Sequence, residues 1–202
     1  MLKVIIGGSW LDDSADYFRG AYRYRYGPAD RLDVLSFRPI TTCNGTKERK
    51  MNIETTAIAT PLLDAYKAEM CKVTDAYSIG KTPVTVGMWR EYCEATGKEM
   101  PAAPSWGWIE DHPIVNVNYF ECMEYAKWAG LDLPTAEEWE YAAAGPNKNV
   151  YPWGNEWDAT KCCNFTNSNW QTAAVNTFQQ GASWCGAVHM AGNVWEWTKT
   201  NS

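Results

Sequence analysis

The sequence predicts an α+β fold with two main helices, short antiparallel sheets and long ordered loops, and three observations lead there. Twelve Trp and eleven Tyr, against modest Ile, Leu and Val, ask for a core of indole and phenol rings, which suits a loop-rich fold. Two amphipathic segments with their own capping residues sit in the middle of the chain. From Gly145 onward the sequence turns to Gly, Asn, Trp and Pro with scattered strands, the pattern of long structured loops.

The elements follow in chain order. Pro39 to about Leu63 holds Cys43-Asn-Gly45, the charged run Lys47-Glu-Arg-Lys50 and few large apolar groups, so it reads as a surface connection. Ala76 to Lys81 reads as a short strand, with Pro83 marking the transition out of it. Val86, Trp89, Tyr92 and Cys93 share one face of a helix from the N-cap Thr85 to Thr96, with Gly97 as its stop. Asn118 and Glu121 form a cap pair for a second helix, Tyr119 to Ala129, on which Cys122, Tyr125, Ala126 and Ala129 share a face. Thr135-Ala-Glu-Glu138 is a further capping box, opening a short helix through Trp139 and Tyr141 to Ala144.

A formal charge of -6 leaves no Lys/Arg block to neutralise phosphates, which argues against nucleic acid or an anionic membrane as partner. No stretch reaches transmembrane length, so no membrane insertion is expected. The 202 residues carry no Pro/Gly/Ser-rich linker, and we read them as one domain spanning 1–202. Seven cysteines are an odd number. Cys162 and Cys163 are adjacent and no apolar segment follows Met1, so reduced thiols filling small apolar gaps fit better than a secreted disulfide framework. Asn44-Gly-Thr46 and Asn164-Phe-Thr166 match the glycosylation sequon and are read as chance. Localisation is not legible.

Five phrases carry a family resemblance: Ile79-Gly-Lys-Thr-Pro-Val-Thr85, His112-Pro-Ile-Val-Asn-Val117, Leu133-Pro-Thr-Ala-Glu-Glu-Trp-Glu-Tyr141, Tyr151-Pro-Trp-Gly-Asn155 and Met190-Ala-Gly-Asn-Val-Trp-Glu-Trp197. Over about residues 74 to 197 the chain resembles the formylglycine-generating-enzyme or sulfatase-modifying-factor domain, which implies a C-type-lectin-like fold. In that family a strand, Gly-Gly-Ser-Trp, an Arg-rich stretch and a closing Gly-Phe-Arg follow the last phrase. Here Lys3-Val-Ile-Ile-Gly-Gly-Ser-Trp10, then Arg19, Arg23 and Arg31, then Ser36-Phe-Arg38 stand at the start of the chain. The order is therefore circularly permuted, with 1–38 as the family's C-terminal portion, 39–63 as the connecting segment and 64–202 as its N-terminal and central portion. Permutation is tolerated where termini lie close together. A swapped or tandem arrangement, in which 1–38 completes a neighbouring copy, is the competing explanation.

The resembled enzymes work through a copper-binding cysteine pair between the Gly-Gly-Ser phrase and the following arginines, and no cysteine lies between Ser9 and Arg38. The related ergothioneine-type sulfoxide synthases need three histidine ligands to iron, whereas only His112 and His189 are present. Both departures favour a chain that is not an enzyme. The stretch from Leu11 to Ser36 contains no Lys, Glu, Gln, Met or Trp, the alphabet left by randomised Asn codons, and resembles the variable proteins of diversity-generating retroelements. By that resemblance the ligand-binding positions are Asp12, Asp13, Asp16, Tyr17, Tyr22, Tyr24, Arg25, Tyr26, Gly27, Asp30, Leu32, Asp33 and Val34. The scaffold positions are Gly7, Gly8, Ser9, Trp10, Arg19, Arg23, Arg31, Phe37 and Arg38. Independently, Tyr, Asp, Ser, Gly and Arg together make the composition of a binding surface.

In the resembled family calcium lies beside the Gly-Asn-Val-Trp-Glu-Trp phrase, at positions matched here by His189, Gly192, Val194 and Glu196. A second site would use Asn164 and the carbonyl of Phe165. A His in place of an oxygen ligand disfavours a hard cation, so at most weak calcium is expected, with Glu196 hydrogen-bonded structurally, and no other cofactor is assigned. The resulting expectation is a non-enzymatic ligand-binding protein of the retroelement variable type, taking a protein or glycan through its 11–36 surface. The alternatives are a sulfatase-modifying or formylglycine-generating-like oxidoreductase, and a structural surface or virion module.

Overall fold

The computed structural model describes residues 1–42 and 60–202. Cys43, the Lys47 to Lys50 run and the first sequon lie outside the described residues. In chain order the elements are β1 (Lys3–Ile6), β2 (Arg23–Tyr26), β3 (Leu35–Ser36), β4 (Ile40–Thr42), α1 (Pro61–Ala68), β5 (Cys71–Lys72), β6 (Tyr77–Ile79), α2 (Val86–Thr96), α3 (Tyr119–Trp128), α4 (Ala136–Ala144) and β7 (Trp195–Asn201), with short 3-10 turns between them. One sheet runs β2-β1-β7-β3 and the other β4-β6-β5. The fold is a mixed α+β one, as expected.

The helices start where their caps dictate. Thr85 accepts from the Met88 amide, and Gly97 ends α2 in the left-handed region. Asn118 with Glu121, and Thr135 with Glu138, close full capping boxes on α3 and α4. Two features depart from expectation. The connecting segment does not stay irregular to its end but runs into α1, because Pro61 occupies the first turn and Leu63 and Tyr66 bury one face. The sheets are not wholly antiparallel, since the two-residue β3 runs parallel to β7, with Leu35 opposite Trp195.

Ring packing fills the main core as the composition demands. Trp89 stacks on Tyr125 with centroids 5.3 Å apart, and Phe37, Tyr92 and Trp128 meet that pair edge-on or tilted. The four-stranded sheet separates this core from a second one. Ile5, Trp195 and Trp197 lie in the first cluster, whereas their neighbour Ile6 joins Ile40, Ile79 and Trp139 in the second.

Residues 1–38 are bound into the same body. β1 pairs antiparallel with β7, Ile5 opposite Trp197 and Ile6 opposite Glu196. Arg38, fully buried, donates through Nε to both Glu196 oxygens at 2.9 and 2.7 Å and through Nη2 to Oε1 at 2.7 Å. Its remaining donors reach the carbonyls of Gly80, Lys81, Val188 and His189, and the Trp139 indole donates to Glu196 Oε2 at 2.7 Å. Arg38→Ala leaves a buried, unpaired carboxylate and should cost about 3–5 kcal/mol in urea unfolding. Arg38→Lys should recover only part of that, because one ammonium cannot reproduce the planar fork.

Candidate functional site

The alternation Tyr22-Arg23-Tyr24-Arg25-Tyr26 splits β2 between two faces. Arg23 reaches Glu137 and Glu140 on α4 at 3.1 and 2.6 Å. The tyrosines turn the other way, toward Trp195. Tyr22 and Tyr24 lie 5.9 and 6.3 Å from the Trp195 ring, Tyr17 packs on Tyr22 at 5.1 Å, and Tyr26 lies 5.5 Å from Tyr24. Trp10 and Trp106 add an edge-to-face pair at 5.4 Å.

The carboxyl of Asp12 sits within this aromatic group. It is placed by Gly7 and Gly8, both at positive φ, and a Cβ on Gly8 would come within 2.8 Å of the Phe18 ring. The resulting turn aims the Ser9 amide and hydroxyl at Asp12 Oδ2, each 2.8 Å away. Burial pushes the Asp12 carboxyl above the usual aspartate range, against the pull of the Ser9 and Trp195 hydrogen bonds, and Asp13 adds to the rise. Desolvation, neighbouring phenols and the Asp12 charge raise Tyr22 and Tyr26, so both stay protonated donors near neutral pH. A carboxyl with an elevated pKa among fixed phenol donors can take and return a proton.

The remaining expected positions are scattered. Asp13, Asp16 and Arg25 are exposed, and Asp16 pairs with Arg19. Gly27 and Asp30 close a turn, the Gly27 amide donating to Asp30 Oδ2 at 2.8 Å. Leu32 is at the surface, the Asp33 carbonyl accepts from the Trp10 indole, and Val34 is buried with its carbonyl on the Trp195 amide. Of the positions expected at calcium, Glu196 has both oxygens taken by Arg38 and Trp139. Asn164 spends its side chain on Thr166 and on the Ala159 and Cys162 carbonyls. A Cβ on Gly192 would stand 2.2 Å from the Cys163 carbonyl, which gives that glycine a packing reason of its own.

Burial lowers both histidines, His189 to about 3 with help from Arg38, so both are neutral. His112 Nδ1 contacts Thr172 Oγ1 at 2.9 Å, and His189 Nδ1 lies 3.3 Å from the Asn193 amide. Among the described residues no three His, Cys, Asp or Glu side chains converge as a metal-ligand set. Trp195, the centre of the aromatic face, was visible only as part of a phrase, because nothing in its spacing tells a site wall from a core residue.

A profile of the Sulfatase-modifying factor enzyme 1-like domain matches residues 49–201. The chain belongs to this family. It is 34% identical over 158 residues to a Mycobacterium tuberculosis protein named hercynine oxygenase, covering 61% of this chain and 37% of that protein. It is 33% identical over 165 residues to the formylglycine-generating enzyme of the same organism, covering 69% and 52%. Over 134 residues it is 36% identical to a Bos taurus protein named inactive C-alpha-formylglycine-generating enzyme 2, covering 57% and 40%. The chain thus spans about a third to a half of the length of these relatives.

These matches correct two expectations. A non-enzymatic ligand-binding protein, and a chain that is not an enzyme, both give way to relatives named as an oxygenase and as a generating enzyme. The retroelement likeness gains no support, and the geometry supplies a reason. Asp12 and Asp30 each spend a carboxylate oxygen on a backbone amide of their own turn, which free variation at those two positions would break.

The raised Asp12 carboxyl predicts a pH signature. A group protonated more readily in the folded state contributes stability below its ordinary pKa near 3.8, and that contribution is lost as pH rises through the folded value. Carboxyl-carbon NMR should therefore show Asp12 titrating above the other aspartates, and the stability of Asp12→Asn should vary less than wild type across that window.

Proposed function

We propose that this chain is an oxidoreductase-type domain whose substrate lies on the face formed by Asp12, Tyr22, Tyr24, Tyr26 and Trp195. The observation that carries the reaction class is the similarity to proteins named hercynine oxygenase and formylglycine-generating enzyme. The place is argued from the Asp12 carboxyl set among phenols. In the same reading the fold is C-type-lectin-like and circularly permuted, with 1–38 following Trp197 in the family order. The β1–β7 pairing and a family match that starts at residue 49 support that order.

The residues present fit neither metal that the family resemblance implies. No thiol lies between Ser9 and Arg38, and the two histidines are committed to Thr172 and Asn193, so no step is routed through copper or iron. What this chain's own groups do is bind, orient and move a proton. The rings offer π-faces to a flat or cationic group and keep water from one side of it. Ser9 and Trp195 hold the Asp12 carboxyl in place to exchange a proton with a substrate amine or thiol, and the Tyr22 and Tyr26 hydroxyls donate to developing negative charge. Calorimetric titration with hercynine, and separately with a cysteine-containing peptide, tests the assignment of the face. We expect one of them to bind, roughly 10-fold or more weakly in Asp12→Asn and in Tyr24→Ala. Binding of neither, or binding unchanged in both variants, overturns it.

A further inference from the structure

Six cysteines lie among the described residues and all are free. Cys93, Cys122, Cys162 and Cys163 are buried, and burial raises each of their thiols, Cys162 and Cys163 to about 12. Cys71 and Cys185 differ. Both are half-buried at the edge of the second core, 114 positions apart in sequence, and their side chains are within hydrogen-bond reach of each other. A Cβ on Gly186 would stand 3.8 Å from Cys71 Sγ, which places the backbone of the Cys185 loop against the β5 thiol. Ser183 Oγ lies 3.3 Å from Cys185 Sγ. The Cys71 thiol, the Ser183 hydroxyl, the Ala187 amide and the Arg38 charge all favour a thiolate at Cys185, lowering it to about 6, while the Cys71 proton is held far more tightly. Burial opposes this, as does the Ala142 carbonyl at 3.5 Å.

We propose that Cys71 and Cys185 form a redox-active thiol pair that closes to a reversible disulfide between β5 and the 182–187 loop in response to hydroperoxides. The inference does not rest on the oxidoreductase assignment, because neither sulfur belongs to the Asp12 face. The Cys185 thiolate attacks the terminal oxygen of the hydroperoxide, the O–O bond breaks, and the leaving alkoxide takes a proton from water to become an alcohol. Cys185 is then a sulfenic acid. The Cys71 sulfur attacks the Cys185 sulfur, the S–O bond breaks, and hydroxide leaves with the Cys71 proton as water. Two thiol groups lose two electrons and the hydroperoxide gains them. A dithiol reductant reverses the bond.

Reduced full-length protein treated with a small excess of tert-butyl hydroperoxide, then alkylated and mapped without reduction, tests the proposal. The expected product is the Cys71 peptide linked to the Cys185 peptide, released by dithiothreitol. In Cys71→Ser a sulfenic acid should persist on Cys185 and be trapped by a 1,3-dione reagent, and in Cys185→Ser both signals should vanish. Alkylation of Cys185 at neutral pH in untreated wild-type protein, which needs no variant to fold, should exceed that of Cys162 and Cys163 by about 100-fold or more. Linkage of either residue to a different cysteine, over-oxidation of Cys185 in wild type without linkage, or equal alkylation of all buried and half-buried thiols would overturn it.

Discussion

The buried Arg38–Glu196 pair is the constraint on which the rest of the structure depends. Taking two charges out of water costs several kcal/mol per ion, and the cost is offset only where every donor and acceptor is used. Here the guanidinium spends its donors on one carboxylate and four carbonyls, and the carboxylate also takes the Trp139 indole. Burial alone would lower the Arg38 pKa, and Glu196 more than reverses it. Satisfying these bonds requires the strand after Phe37, the end of β6, the 188–189 loop, α4 and β7 to arrive at one point. A geometry this restrictive fixes the orientation of elements that the non-directional packing of Ile40, Ile79, Trp139 and Met190 only gathers together.

The candidate site follows from that fixation through the pleat of β7. Glu196 points to Arg38, so its neighbour Trp195 must point to the opposite face, where it meets Tyr17, Tyr22 and Tyr24. β1 lies between β7 and β2, which brings the tyrosines to the same side. The Gly-Gly-Ser-Trp turn then has little freedom, since the Gly7 carbonyl accepts from Gly192 and the Trp10 amide donates to Asn193. Asp12 therefore stands on a rigid support rather than on a mobile loop, as proton transfer within a few tenths of an ångström requires.

What was legible in the sequence were features encoded locally. Thr85 with Gly97, Asn118 with Glu121, and Thr135 with Glu138 state where helices begin or end, and all three helices are found there. Aromatic composition announced the ring-packed core. Helix α1 was hidden because Pro61-Leu-Leu-Asp-Ala-Tyr66 is short and has only Leu63 and Tyr66 facing inward. The Cys71–Cys185 contact was hidden for a different reason: no periodicity links residues so far apart, and only the closed topology brings β5 to that loop. Asp12 was named from the sequence, but among thirteen positions with nothing to separate it from Asp13 or Asp16, since desolvation is a property of the fold.

The restricted alphabet of residues 11–36 also has a structural account that its composition concealed. Alternating Tyr and Arg on β2 serve two faces, rings against Trp195 and guanidinium against the α4 carboxylates. Arg31 pairs with Glu121, the residue that also closes the α3 capping box, so its identity is tied to a helix start. Asp12 and Asp30 each accept a backbone amide three residues earlier, a turn device for which the short acidic side chain is suited. Ser14 caps the short turn that follows it, its hydroxyl accepting from the Asp16 amide. Tyr22, Tyr24, Arg23 and Arg31 are thus tied to partners far away in the chain, and a surface assembled for variation would not commit those side chains in that way.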